Sequence, residues 1–438
     1  MEFITSLAVN PVFVSVLLLC VLCLKKVNVL LAIIISTIIA GVMSSMTIKS
    51  VMETFISGMG GNSETALSYI LLGAFAATMA HSGFTGVVSK NIASFVSHKK
   101  STLFLVLILI AIASQNVIPI HIAFIPIIIP PLIGIMNKLN IDRRAVACVL
   151  AYGLKMPYIT IPVGFGLIFQ NLIADNMVQN GVNIARNDIW QSTLILGVGM
   201  TVGLLFAVLV TYKKSRNYED KPVVGIVISQ DKFCFKHQLV ILAIIATFVV
   251  QLLTQSLPLG ALVGLGIIFS CKVIPQDKMD YMMNEGIYLM GYVAFVMLVA
   301  AGYADVLKQS GAIDSLVNLV LTILPSNIFL TSIIILVLGL FITIGIGTSF
   351  GTIPILAVLF IPVCIKLGFN TQQMVVLLAA AAALGDAGSP ASDTTLGPTA
   401  GLNSDGQHNH IFDTCIPTFL HYNVALILFA LLGILFFA

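Results

Sequence analysis

The chain is short of charge. Of its 438 residues only 9% are Asp, Glu, Lys or Arg, against about 25% in an ordinary soluble domain. So few charges cannot cover the surface of a water-exposed fold of this size, and most of that surface must meet lipid. Cysteine is sparse as well. The seven cysteines, at 20, 23, 148, 234, 271, 364 and 415, are scattered and mostly sit inside apolar runs, which argues against a disulfide framework and against structural zinc. Cys20 and Cys23 have a CxxC spacing, but their flanks are Val and Leu and no second cluster accompanies them. The net charge of +3 is too small to imply a nucleic-acid partner, and the bases lie between apolar runs, where orientation signals belong, so none is expected. The first apolar run follows Met1 and Glu2 with no basic segment before it, so a cleaved signal peptide is not expected.

Hydrocarbon is abundant instead. Hydrophobic residues make up 58% of the chain and the mean hydropathy is +1.07. The expected fold is an all-α polytopic membrane protein whose partner is the lipid bilayer. Candidate spans are 11–24, 27–46, 66–83, 144–175, 190–211, 237–256, 258–271, 286–308, 373–400 and 415–438. The segments 101–136 and 327–366 are too long for one span and are broken by polar, Gly or Pro residues, so both read as re-entrant hairpins. Lys99 and Lys100 precede the first of these and Lys138, Arg143 and Arg144 follow it. Both of its ends therefore belong on the cytoplasmic side, together with the basic loop 213–236.

Sliding the sequence along itself by 228 residues sets Pro126 on Pro354, Pro162 on Pro390, and Ser82-Gly83 on Ser310-Gly311. The prolines carry most of the weight. If one copy starts inside and the other outside, the chain holds inverted-topology repeats, each with a re-entrant hairpin and a broken transmembrane helix. The division is then 1–60 as N-terminal scaffold, 61–180 as the first repeat, 181–285 as connecting helices with the basic loop, and 286–438 as the second repeat with the C-terminal helix.

Helix should fail at four places: Ser114-Gln115-Asn116, KMPYITIPVGFG (155–166), TIGIGTSFGT (343–352) and GDAGSPASDTTLGPTAG (385–401). Broken helices expose carbonyls and helix ends at membrane depth, where they persist only if they line a cavity or bind something. The last run is the most informative. Asp386 and Asp393 lie among Ser389, Ser392, Thr394 and Thr395. A carboxylate at the bilayer centre costs at least ~2.5–3.5 kcal/mol and is mostly kept for ions or protons. Carboxylate and hydroxyl oxygens suit sodium, and a desolvated carboxylate equally suits a proton. A polar loop outside the membrane, with Asp and Ser as helix caps, is the competing account. Lys155 should either pair with one of the two aspartates or reach to an interface. Asn116, Lys155, Thr160, Thr348 and Ser349 are candidate solute ligands. His81, His121, His408, His410 and His421 are dispersed and expected to be structural or in loops, and Asp305 is a secondary proton candidate near the end of its span. No GxxxxGK[ST] loop occurs and no catalytic constellation falls in a foldable soluble segment. The chain is therefore expected to be no enzyme and to need no cofactor beyond a coupling ion, Na+ or H+.

The run GDAGSPASDTT, together with the repeat and the hairpins, resembles the NhaC-type sodium/proton antiporters and related candidate amino-acid permeases of the ion transporter superfamily, which carry a similar G-D-x-x-S-P-x-S-D-T-T run. The likeness is close over the second broken span and architectural elsewhere. It implies a dimeric carrier in the bacterial inner membrane, with two hairpins and two broken helices around a central site and an elevator-like motion. Carried over, Asp386, Ser389, Ser392, Asp393, Thr394 and Thr395 would surround the cation. The continuation GPTAGLNSDGQHNHIFDTCIPTFLHYN looks more like the candidate amino-acid transporters. Two functions stay open: Na+- or H+-coupled uptake of a small solute, an amino acid such as histidine, and Na+/H+ exchange without an organic substrate. A passive channel would show no coupling and does not suit hairpins paired with broken helices.

Overall fold

The structure, a computed structural model, describes residues 9–25, 27–84, 87, 99–117, 125, 128–221, 233–254, 256–311, 327–346, 348–390 and 392–438. His121 and Pro126 lie outside this set, as do the side chains of Cys20 and Cys23. The described residues form helices and no strand. In chain order these are α1 (Pro11–Leu24), α2 (Val29–Met43), α3 (Ile48–Met59), α4 (Ser63–His81), α5 (Lys100–Ile112), α6 (Ile133–Lys138), α7 (Arg143–Thr160), α8 (Phe165–Gln179) and α9 (Ile189–Phe206). The second half continues with α10 (Phe235–Thr254), α11 (Leu257–Ser270), α12 (Met279–Gln309), α13 (Ile328–Ile346), α14 (Ser349–Lys366), α15 (Thr371–Ala383), α16 (Asp393–Leu402) and α17 (Ile416–Phe436). Among the described residues five helices are long and apolar enough to cross a membrane, and α7 with α8 makes a sixth span bent by 45°.

Sequence dictates where these helices break. Asp142 caps α7 by accepting from the Arg144 amide at 2.9 Å. The helix stops at Thr160 because Pro162 pushes Ile161 out of the helical region. The chain then turns at Gly164, whose φ of +60° is open to glycine and strained for other residues. A Cβ there would lie 2.0 Å from the Asn116 carbonyl oxygen, so the end of the α5 segment seats directly on the break. The second break is built alike. A capping box between Asn370 and Gln373 starts α15, Gly385 at φ +81° ends its path, and one short turn spans Asp386–Gly388. Ser392 then caps α16 by accepting from the Thr394 amide at 3.2 Å.

Burial sorts the helices into layers. In α14 and α15 nearly every side chain is enclosed, including the whole stretch from Ala379 to Ala383, as expected of helices apolar all round. α9 and α10 are less than half buried, and Leu205, Leu253 and, just past α9, Val210 are exposed and form a lipid-facing skin. Small residues let backbones approach where α4 meets α12: a Cβ on Gly73 would lie 2.6 Å from the Gly286 carbonyl oxygen.

Hydrogen bonds gather the basic segments on one face. Lys100 donates to Ser215 Oγ at 3.3 Å, Asn137 to Asp220 at 3.1 Å, and the Arg143 amide to the Tyr218 hydroxyl at 3.1 Å. Both ends of 100–138 thus meet the same basic loop, on one face of the protein. A ring nitrogen of His237 lies 3.2 Å from the Ser82 carbonyl oxygen, bringing the end of α4 to that face. The far end of α8, where Arg186 pairs with Asp175 at 2.9 Å, is on the opposite side.

Candidate functional site

The two breaks meet at Asp386. Lys155, more than three turns into α7 and wholly buried, donates to Asp386 Oδ2 at 2.7 Å. Of the two alternatives for this lysine, interface or aspartate, the structure shows the aspartate. Ser349, the first residue of α14, donates to the same oxygen at 2.7 Å, and the Tyr158 hydroxyl does so at 3.1 Å. Tyr158 also receives a hydrogen bond from Lys155 at 3.0 Å and lies 2.8 Å from Ser349 Oγ. Asp386 Oδ1 accepts from Ser392 Oγ, which in turn lies 2.8 Å from Thr394 Oγ1. Thr394 reaches back to the Asp386 carbonyl at 3.2 Å, and Thr395 donates to the carbonyls of Ser389 at 2.6 Å and Ser392 at 2.9 Å.

The chemistry follows from this inventory. One carboxylate, 3% exposed, is neutralised by one ammonium and surrounded by three hydroxyls. A hydroxyl that donates to a carboxylate can rotate and offer its lone pairs to a cation. A buried ion pair is costly to form and costlier to halve, so the ammonium can leave only if another positive species replaces it.

Several expected residues fall elsewhere. Asn116 is 3% exposed, and neither its Oδ1 nor its Nδ2 has a hydrogen-bond partner. Thr160 spends its hydroxyl on the Met156 carbonyl at 2.9 Å, and its methyl packs on Gly197 of α9. Thr348 is half-buried just ahead of α14, its carbonyl 3.3 Å from Thr352 Oγ1. Asp393 opens α16, and its side chain lies outside the described residues. Asp305 borders a hollow of about 150 Å3 at the outer end of α12, together with Lys308. His410 links Thr399 Oγ1 at 2.8 Å to the Pro390 carbonyl at 3.0 Å, and His408 lies 2.7 Å from Thr414 Oγ1. These two histidines pin the connection after α16. His81 Nδ1 lies 3.1 Å from the Ala77 carbonyl, and His421 lies 2.9 Å from Thr211 Oγ1.

Two functional features escaped sequence reasoning. Tyr158 sits between Pro157 and Ile159, and only its place three residues after Lys155 was a signal, since that spacing faces one side of a helix. Arg143 reads as an orientation charge in a loop, but it is fully buried and holds Asp405 through both Nη atoms at 2.7 and 2.6 Å. Its guanidinium also stacks 4.2 Å from the centroid of the Tyr218 ring. Burial raises the Asp405 carboxyl, and the hydrogen bonds and charge of Arg143 outweigh it, leaving Asp405 below the usual carboxylate range.

A helical bundle with a charge pair sealed where two broken segments meet is the build of a polytopic membrane transporter. The chain belongs to the Na+/H+ antiporter family, whose profile matches residues 148–434; a second profile, also described as a Na+-H+ antiporter family, matches residues 10–96. An uncharacterised membrane protein of Vibrio parahaemolyticus is 43% identical over 432 residues, covering 96% of this chain and 98% of that protein. YuiF of Bacillus subtilis, provisionally named an amino acid transporter, is 42% identical over 436 residues with the same coverage. In fold the chain is similar to the Alcanivorax borkumensis YdaH transporter, with a TM-score of 0.60 at 13% identity, covering 89% of this chain and 88% of that one. It is also similar to Neisseria gonorrhoeae MtrF, with a TM-score of 0.58 at 13% identity, covering 87% and 83%. The protein is thus a multi-pass membrane transporter.

Proposed function

We propose that this transporter is a secondary carrier in which Na+ or H+ binds at Asp386 and drives uptake of a small solute, an amino acid such as histidine. The observation that carries the reading is the buried Lys155–Asp386 pair ringed by Ser349, Ser392 and Tyr158. In the resting site the lysine ammonium stands where a cation would act. Sodium competing for the carboxylate, with Ser392, Thr394, Ser349 and the Ser389 to Thr395 segment supplying further oxygens, would free Lys155. A proton would do the same by neutralising Asp386. The loaded site then carries no unbalanced charge and can change its exposure. Asp393, at the start of α16, is assigned to the same cation. The unpaired Asn116 amide is assigned to the solute, with Thr348 at the other hairpin. Tyr158 and Asp386, 228 residues apart, support the inverted repeat. A homodimer is part of the same proposal.

The family description favours a second reading, Na+/H+ exchange with no organic solute, while the name of YuiF favours the first. Purified protein in proteoliposomes with an imposed sodium gradient separates the two. Sodium-dependent accumulation of radiolabelled histidine or another amino acid supports coupled uptake, whereas proton movement on sodium addition alone supports exchange.

A further inference from the structure

The face opposite the basic loop carries a polar hollow of about 230 Å3 between α4 and α8. Ile168, Asn171 and Asp175 enter it from α8, a spacing that keeps one helix face toward it. Glu64 and Ser68 border it from α4, and Arg186 borders it from the loop after α8. Asp175 holds Arg186 through Nε at 3.0 Å and one Nη at 2.9 Å. Asn171 Oδ1 is buried with no hydrogen-bond partner. Ile168 and Ser68 adjoin a knot of rings. Phe350, the residue after Ser349, packs against Tyr69 at 5.8 Å, Tyr158 at 5.4 Å, Phe165 at 5.9 Å and Phe169 at 6.0 Å between centroids. Tyr69 and Phe169 of this knot directly follow Ser68 and Ile168 of the hollow in sequence, and Tyr158 belongs to both the knot and the charge site.

We infer that the hollow is the outer vestibule of the carrier, that it binds zwitterionic solutes, and that the rings around Phe350 close its floor. The class follows from the mixture of charges. Asp175 already compensates Arg186, so Glu64 is left to draw an ammonium, while the Arg186 N–H groups that Asp175 does not hold can take a carboxylate; a molecule carrying both groups uses the two together, whereas a bare anion is opposed by Glu64 and Asp175. The Asn171 oxygen supplies a neutral acceptor for the ammonium. The inference rests on the coupled-uptake reading, because exchange alone would need no such site.

Gly61 borders the hollow, and a side chain added there meets nothing nearer than Gln179 Nε2 at 4.0 Å, so Gly61→Cys is the reporter. A membrane-impermeant maleimide added to intact cells should label it above the wild-type background. A mixture of the proteinogenic L-amino acids without cysteine, whose thiol would consume the reagent, should slow labelling at saturating concentration, and methylammonium acetate should not. Glu64→Gln or Arg186→Gln in the reporter should remove the protection. Labelling from the inner face only, from neither face, or at equal rates with and without amino acids overturns the inference. The carrier reading fails separately: Asp386→Asn with undiminished sodium-driven flux overturns that reading, whatever the maleimide reports.

Discussion

The Tyr158 hydroxyl donates to Asp386 Oδ2 at 3.1 Å across 228 positions, the same offset that sets Pro126 on Pro354 and Pro162 on Pro390. Tyr158 also accepts from Lys155, so one phenol joins the ammonium to the carboxylate. Tyr158→Phe keeps the ring packed on Phe169 and Phe350 and removes only the hydroxyl. Hydrogen bonds to charged groups are worth about 1.5–3 kcal/mol, so thermal unfolding in detergent should show a loss of that order, with membrane insertion intact.

Lys155→Met leaves Asp386 buried without its ammonium, a change that costs ~3–5 kcal/mol when a buried pair is halved. Sodium should restore part of the loss, because a ligand that binds only the folded state stabilises it by mass action. Tm measured in choline and in sodium chloride checks this. The variant should melt below wild type in choline and gain more from sodium than wild type does, while its coupled transport falls. Equal sodium gains would show that the lysine does not occupy the cation's place.

Gly164→Ala tests the seat between the end of the α5 segment and the break. The added carbon would lie 2.0 Å from the Asn116 carbonyl oxygen at a φ of +60°. Strain of this kind costs ~1–3 kcal/mol, and relieving it must push Asn116 off the break. Transport should be lost at a protein level that remains measurable, read as flux per unit of purified protein.

Acid should loosen the connection after α16, which His408 helps to pin, before it reaches the carboxylates. Burial, more than the nearby Asp413 offsets, pushes His408 down from 6.5 to about 4. A group whose pKa is lower folded than unfolded contributes stability that is complete above the unfolded value and lost as pH falls. The His408 contribution, on the order of 3 kcal/mol, should therefore disappear between about pH 6.5 and pH 4. Asp405, also depressed, adds its loss below the usual carboxylate range. Tm against pH should fall through the upper window in wild type and stay flatter there in His408→Gln.

How far the sequence foretold this depends on how far apart the partners lie. Asp386 and Ser392 were legible because a cluster of acid and hydroxyl groups within one apolar stretch announces itself, and the stretch 155–166 was legible as a break, which the structure places after Thr160. Lys155 was visible as a charge in hydrocarbon, but its choice between interface and aspartate depends on a contact 231 residues away. Arg143 and Asp405 are 262 apart, and each has a local reading as a solvated loop charge that hides the pair. Tyr158 was invisible because a tyrosine in an apolar run most often packs as a ring, which it also does here. Phe350 and the outer hollow arise only when three helices are brought together.

The most direct test of the account is sodium-driven flux by Asp386→Asn in proteoliposomes, measured beside wild type at equal reconstituted protein. The neutral amide keeps the shape of the site and its hydrogen-bonding capacity but cannot balance Lys155 or trade it for a cation, so coupled flux should fall to the level of empty liposomes at every sodium concentration. Flux with the wild-type sodium dependence would contradict the claim that this carboxylate is where the driving ion binds.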